Sequence, residues 1–413
     1  MSSQKTRVIL VRHGRSTFNQ QGRYQGSSDD SVLTSLGLRT AHQLGQALRH
    51  RAIDIVYTSP LRRVQQTARA LIQTMSPGNP PPMVLSPQLR EISLCGWEGL
   101  SYQQVRQQFA AEYDCWQRHP EAFELPVQPD TSAKNISTKN TLAKNISEQK
   151  GIALATERYF PVRDLYQRSQ LFWQSFLTRH AGHNCLIVSH SGTTHALIST
   201  ALGLQPKFHH SLQQSNCAVS ELTFEETASS RSVQLHQLNH TEPLGETLPK
   251  VKTEKTGLRL ILLPSEGLMP QHCQRIAQRL KEAPIDLCLT TSHAQAMAGK
   301  LLKHHPRALQ LTTENAHFLQ VWQQQLSRAS GPKDGMITGL AIAPTADIQT
   351  LIAQSIVNSA YSNSAHSSNL GNGTDPALSP AGYLPTRLAL RPGRLNVVHY
   401  PANHRPVIQT INS

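Results

Sequence analysis

Val8–Ile9–Leu10–Val11–Arg12–His13–Gly14 sets a continuous apolar run against two basic residues and a glycine. A short unbroken run of this kind marks a strand buried on both faces, as in a parallel sheet. Ligand sites of such sheets lie beyond the carboxyl ends of the strands. Arg12 and His13 therefore stand where chemistry is expected. The outline returns as Leu260–Ile261–Leu262–Leu263–Pro264–Ser265–Glu266, with the strand kept and Arg-His replaced by Pro-Ser. One working site and one retired site are expected.

Working outward, Leu36, Ala41, Leu44, Ala47 and Leu48 recur at helical spacing, predicting an amphipathic helix over 36–49. Ile53–Thr58 reads as the next strand. Leu61–Thr74 reads as a helix stopped by Pro77 and Gly78. Asn184–Ser189 is a further apolar strand, followed by a helix at about Thr193–Leu202. Strand alternating with helix indicates an α/β fold with a mostly parallel sheet.

The second half repeats this order. Arg7 matches Arg259, Ile53-Asp54 matches Ile285-Asp286, and Leu197-Ile198 matches Leu351-Ile352. The spacing between partners shrinks along the chain, so the second copy keeps strands and helices and loses loops. This predicts a first domain over 1–240, a linker over 241–256 carrying Pro243, Gly245 and Pro249, and a second domain over 257–413. Asp130–Lys150, where Ala-Lys-Asn-Ile-Ser occurs twice, reads as a disordered insertion, and Asn358–Pro380 reads the same way.

With 413 residues and 38% hydrophobic content, the chain has material for two cores. No apolar run reaches membrane-spanning length, and the first residues lack the apolar stretch of a secretory signal. Six cysteines without CxxC pairing argue against a zinc site or a disulfide framework. A cytoplasmic protein is the expectation. The net charge of +14 reads first as general solvation with basic loops and second as attraction of anionic, phosphorylated small molecules. No dense basic tract interleaves with aromatics, so nucleic acid is not the expected partner.

Three further pieces accompany Arg12-His13-Gly14, whose glycine lets backbone approach an anion closely. Thr58–Ser59–Pro60–Leu61–Arg62–Arg63–Val64–Gln65–Gln66–Thr67 places basic residues at a strand-to-helix turn. Leu89–Arg90–Glu91, followed by Gly96–Trp97–Glu98–Gly99–Leu100, offers an acid in a loop. Ile187–Val188–Ser189–His190–Ser191–Gly192 puts a second histidine after another apolar strand.

In this order the four motifs resemble the histidine phosphatase superfamily, the phosphoglycerate mutase-like fold, over about 1–240. The resemblance implies a three-layer sandwich in two tandem copies, the second degenerate. It implies that His13 is the nucleophile that becomes phosphohistidine. Arg12, Arg63 and His190 would hold the phosphoryl group, and Glu91 would donate the proton. Arg63, rather than Arg62, lies at the family's spacing after Ser59. Asn19, Gln25 and Gly26 match positions that line the pocket. No metal or cofactor is implied, and 2,3-bisphosphoglycerate enters only as the primer of a mutase.

Physical chemistry supports the same roles. A phosphomonoester is close to a dianion at neutral pH, and forked guanidiniums match its oxygens. In-line transfer spreads charge over the equatorial oxygens, so preorganised cations do most of the work. A neutral imidazole is an available nucleophile, and a carboxyl group can protonate the leaving alkoxide. Other residues read more plainly. Trp97 is expected to pack, His195 to lie on a helix face, and His209-His210 and His304-His305 to be solvated loop pairs. Asp29-Asp30 is expected to form an acidic turn ahead of a helix.

The sequence departs from the family in two places. Arg15 stands where Glu often follows Arg-His-Gly, and no Gly-Glu-Ser triplet follows the Trp-Glu-Gly motif. In the second half the offsets replace Arg12 by Pro264, His13 by Ser265, Arg63 by Gln295 and His190 by Pro344. That copy is expected to form no phosphohistidine and to act as a built-in partner of the first domain or as a regulatory unit.

The leading expectation is a metal-independent phosphatase of small phosphorylated metabolites. The Leu-Arg-Glu…Gly-Trp-Glu-Gly-Leu stretch resembles the phosphatase branch more than the mutase branch. A 2,3-bisphosphoglycerate-dependent phosphoglycerate mutase uses the same residues and is the alternative. A regulatory or binding protein with a duplicated fold is the third reading, opposed by the intact residue set of the first half.

Overall fold

The computed structural model describes residues 4–126, 158–227, 230–252, 255–329, 335–357 and 380–413. The insertion expected at 130–150, and all but the last residue of the segment expected at 358–380, lie outside the described residues. The first sheet begins with β1 (Gln4–Arg12), β2 (Ile55–Thr58) and β3 (Met83–Leu85). A small separate ladder, β4 (Leu125–Pro126) and β5 (Arg158–Tyr159), follows. Then come β6 (Asn184–Ser189), β7 (Val219–Glu226) and β8 (Arg231–His240). The sheet order is β3-β2-β6-β1-β7-β8. The first four are parallel, and β7 and β8 run antiparallel at one edge.

Residues Val8–Val11 are all buried, as a strand covered on both faces demands. Ile9 and Val11 face a core shared with Ala41, Leu44, Val64 and Leu71 of helices Ser35–Ala47 and Arg62–Met75. Val8 and Leu10 face Phe172, Phe176, Leu197 and Ile198 of helices Pro161–Arg179 and Ser191–Ala201. Burying each large aliphatic side chain contributes about 1.5–3 kcal/mol. The three-layer α/β arrangement follows from that alternation.

The second sheet is built from β9 (Gly257–Pro264), β10 (Leu287–Thr291), β11 (Leu309–Thr313), β12 (Met336–Ala343), β13 (Asn396–Tyr400) and β14 (Val407–Thr410). Its order, β11-β10-β12-β9-β13-β14, repeats the first sheet strand for strand. The duplication extends to one side chain. Asp54 N donates to Asn184 O at 2.8 Å, and Asn184 N donates to Asp54 Oδ2 at 2.7 Å. Asp286 and Thr338 form the same fork at 2.8 and 2.7 Å. The two tandem copies are therefore a structural fact, with loops trimmed from the second: Pro264 ends β9 and Pro270 already opens the next helix.

The equivalent edge strands β8 and β14 meet. Leu238 N donates to Ile411 O at 3.2 Å and Ile411 N returns the bond to Leu238 O at 3.1 Å. Beside them Gln213 N reaches Ile408 O at 2.9 Å. One apolar core runs through the joint, taking in Trp173 and Leu235 with Leu260, Phe318 and Ile408. All six cysteines are unpaired. Among the described residues no helix is long and apolar enough to cross a membrane.

Candidate active site

The carboxyl ends of β1 and β6 bring Arg12, His13 and His190 together. His13 N donates to Ser189 O at 2.8 Å, so the two strand ends are locked in register. The His13 and His190 rings meet edge-on, with centroids 5.4 Å apart. His13 is 2% exposed. Its Nδ1 lies 2.8 Å from Gly14 O. A carbonyl only accepts, so Nδ1 carries the proton and Nε2 keeps its lone pair in the neutral ring. Burial, then the fields of Arg63 and Arg12, hold the His13 pKa well below the usual histidine value.

His190 precedes helix Ser191–Ala201, and its Nε2 lies 2.8 Å from Ser59 Oγ. Ser59 Oγ also accepts from Leu61 N at 3.3 Å. His190 Nδ1 is buried and has no partner. Ser59 was legible in the turn motif as a residue type, but its hold on His190 spans 131 positions and had no local signal.

Arg63 is completely buried at the start of helix Arg62–Met75. Its Nη1 and Nη2 donate to Ser28 O at 2.7 Å and Gly26 O at 2.9 Å. Burial lowers its pKa to about 10 against the opposing field of Glu91. Arg12 donates Nη1 to Gln214 O at 2.7 Å, and burial likewise lowers its pKa. Neither guanidinium forms an ion pair among the described residues, and both Nε atoms are buried without partners. Arg62 instead points outward and pairs with Asp29 at 3.3 Å.

Glu91 seats its carboxylate on the N-terminus of helix Ser191–Ala201. Oε2 accepts from Gly192 N at 3.1 Å, and Oε1 from Thr193 N at 3.0 Å and Ile92 N at 3.0 Å. A Cβ on residue 192 would fall 2.7 Å from Oε1, so glycine is needed there. Glu91 also lies within electrostatic reach of Arg12 and Arg63.

The loop after His13 is internally tied. Asn19 Oδ1 accepts from Ser16 N at 3.3 Å and from Asn216 Nδ2 at 3.1 Å, and Asn216 also donates to His13 O at 2.9 Å. Gln25 Oε1 accepts from Ser16 and Ser31 hydroxyls at 2.8 and 2.7 Å. Gly26, at φ +50°, offers Arg63 its carbonyl. Gly14 is used differently from the sequence expectation. Its N–H donates to Thr67 Oγ1 at 3.0 Å, and a Cβ there would lie 2.6 Å from Gly37 O. Close helix packing, rather than approach to an anion, requires that glycine.

Trp97 is fully buried against Tyr24, Trp116 and Phe123, a packing role. The expectation for His209 and His210 is corrected. His209 is 2% exposed, and His210 Nε2 donates to Trp116 O at 2.8 Å beneath the Trp116 ring. His195 joins them, with its ring 5.5 Å from His209. The covering Trp116 lies 94 positions away, so no local pattern announced burial. His304 is exposed as expected, while His305 is partly buried at 3.1 Å from Leu280 O.

In the second copy Ser265 N donates to Ala343 O at 2.9 Å, the counterpart of the His13–Ser189 bond. This register sets Pro264, Ser265 and Pro344 at the positions of Arg12, His13 and His190. Glu266 then accepts from Thr345 N at 2.8 Å and Thr345 Oγ1 at 2.7 Å. The helix N-terminus is met by a side-chain carboxyl here as it is in the first copy.

A model of the histidine phosphatase superfamily (branch 1) matches residues 8–139 and 137–236, both ahead of the second copy and together more than half of the chain. The chain is 32% identical over 298 residues to 2-carboxy-D-arabinitol-1-phosphatase of Triticum aestivum, covering 72% of this chain and 52% of that protein. It thus spans about half the length of that relative. It is 29% identical over 220 residues to a protein named probable phosphoglycerate mutase of Yersinia enterocolitica, covering 53% of this chain and 86% of that one. Among solved structures, the α-ribazole phosphatase of Shigella flexneri matches with TM-score 0.39 and 22% identity, over 56% of this chain and 96% of that chain. A mycobacterial glucosyl-3-phosphoglycerate phosphatase matches with TM-score 0.43 and 21% identity, over 57% and 98%.

Proposed function

This chain belongs to the histidine phosphatase superfamily, and from that premise we propose that it hydrolyses small phosphomonoesters through a phosphohistidine on His13. The observation that carries the reading is the set of unpaired nitrogens around His13. Arg12 Nε, Arg63 Nε and His190 Nδ1 are buried without partners beside a neutral imidazole whose Nε2 is free. Buried cations lacking a counter-charge are costly, and a phosphoryl dianion supplies the missing charge.

In the first step Nε2 of His13 attacks phosphorus, the bond to the alcohol oxygen breaks, and Glu91 gives its proton to the alkoxide. Water then attacks the phosphohistidine, Glu91 takes a proton from it, and the P–N bond breaks to release phosphate. Arg12, Arg63 and His190 hold the three equatorial oxygens throughout. Asn19, Gln25 and Gly26 line the pocket in this reading, and the neutralising cations are side chains rather than a metal. A phosphorylated sugar acid is a candidate substrate in this reading, supported by the name of the wheat relative, 2-carboxy-D-arabinitol-1-phosphatase. Residues 1–240 form the catalytic domain, 241–256 the linker and 257–413 an inactive copy that serves as a built-in partner across β8 and β14.

The test is phosphorus NMR in EDTA with 3-phosphoglycerate, a trace of the bisphosphate, and phosphoserine, beside His13→Ala. Release of free phosphate that disappears in the variant is expected. The likeness to the Yersinia protein favours a mutase as second reading. Formation of 2-phosphoglycerate with little free phosphate would establish it in place of the phosphatase.

A further inference from the structure

Gln214 O accepts two cations. One is Arg12 Nη1 at 2.7 Å, and the other is Nζ of Lys252. Lys252 belongs to the linker, beyond the residues that match the family model. Residue 252 as a whole is open to solvent while its ammonium end reaches inward to Gln214.

The surroundings hold several buried polar atoms without partners, Glu246 Oε2 among them. Both carboxamide atoms of Gln214 are buried without partners although the residue is only 2% exposed. Arg12 Nε is unpaired as well. Burial and the field of Arg12 pull the Lys252 pKa well below the usual lysine value, with Glu246 opposing. Glu246 is itself shared with Lys250 at 3.5 Å. Two cations therefore share one neutral carbonyl, and the acid that acts on the lysine is shared with Lys250.

The linker is gripped from both halves. Gln213 Nε2 donates to Lys250 O at 3.0 Å, and Arg259 Nη2, on β9 of the second copy, donates to Pro249 O at 2.6 Å. Arg259 Nε also holds Gln409 at 2.9 Å. The retired copy therefore anchors the segment that delivers Lys252 to the working site.

We propose that Lys252, with Arg12 and the Gln214 carboxamide, forms a second anion subsite beside the phosphoryl pocket, selecting phosphomonoesters that carry a further carboxylate or phosphate. The proposal rests on the phosphatase reading and adds a specificity-determining residue to it. An ammonium reads such a group as a point charge, so either anion satisfies the geometry.

The experiment compares kcat/KM for two substrate pairs, 3-phosphoglycerate against glycerol 3-phosphate and fructose 1,6-bisphosphate against fructose 6-phosphate. In Lys252→Met the ratio within at least one pair falls about 30-fold, while Lys252→Arg retains most of it. A fall confined to the first pair identifies a carboxylate, and one confined to the second a phosphate. Ratios within about threefold of the unmutated protein in both pairs, or an equal fall for all four substrates, overturn the subsite. If the unmutated protein turns over none of the four, the phosphatase reading fails instead. The same pairs are then compared as dissociation constants by calorimetry, and equal affinities within both pairs overturn the subsite independently.

Discussion

The Nδ1 of His13 donates to the carbonyl oxygen of Gly14 across 2.8 Å, which fixes both the tautomer and the direction of Nε2. Nitrogen-15 NMR of the His13 ring should show protonated Nδ1 and bare Nε2 from pH 8 down to at least pH 6, because burial beside Arg63 and Arg12 lowers its pKa. A ring that gains its second proton near pH 6.5 would contradict the geometry. Loss of His13 should abolish covalent phosphate incorporation and reduce kcat by at least about 10⁴.

Arg63 and Arg62 are neighbours with opposite fates. Arg63→Gln removes a buried guanidinium seated on Gly26 and Ser28 carbonyls and should lower kcat/KM about 10³-fold. Arg62→Gln loses an exposed pair with Asp29 and should change it less than about threefold. Arg63→Lys keeps the charge without the fork and should fall between. Equal effects of the two glutamine variants would refute the assignment.

Gly26→Ala should destabilise the fold by about 2 kcal/mol. The added Cβ would fall 2.1 Å from Glu98 Oε1, at a φ of +50°. Glu98 is not free to yield, since Oε1 accepts from Ser27 N at 2.7 Å and Leu94 N at 3.3 Å. Activity should fall in parallel, because the same loop carries the carbonyls that hold Arg63. A urea midpoint equal to that of the unmutated protein would count against this.

Acid should weaken the fold through its buried histidines. Burial, the largest cause in each, pulls the pKa values of His13, His190, His195 and His209 well below the usual value, and that of His210 to about 4. Below about pH 6.5 the unfolded chain takes up protons that the folded chain refuses. Stability is therefore intact above pH 7 and is lost as pH falls from 6.5 toward 4. Each such group contributes on the order of 1 kcal/mol of loss by pH 5.5. Urea midpoints at pH 7.5, 6.5 and 5.5 measure this, and a flat profile would disprove it.

The sequence was most readable where neighbours in the chain are neighbours in space. Val8–Val11 announced a doubly covered strand because every residue is apolar, and the Asp54 and Asp286 forks confirm the repeat first seen as Ile-Asp at two places. Arg12, His13, Arg63, Glu91 and His190 were legible as motifs and meet in one place. Partners chosen by topology were not legible. Ser59 finds His190, Trp116 covers His210, and Lys252 reaches Gln214, each across dozens of positions. Gly14 shows the subtler failure: its residue type was noticed and its reason, the nearness of Gly37, was not.

The reciprocal bonds between Leu238 and Ile411 have a bearing on solubility. An open sheet edge is a template on which another chain can add a strand. Each of the two sheets would present such an edge at β8 or β14, and here each occupies the other. What remains at the far ends is β3, only three residues long, and β11, of five. Separating the halves would expose the ten-residue β8 and the four-residue β14 at once, so self-association through strand addition, rather than simple unfolding, is the hazard that the tandem arrangement removes.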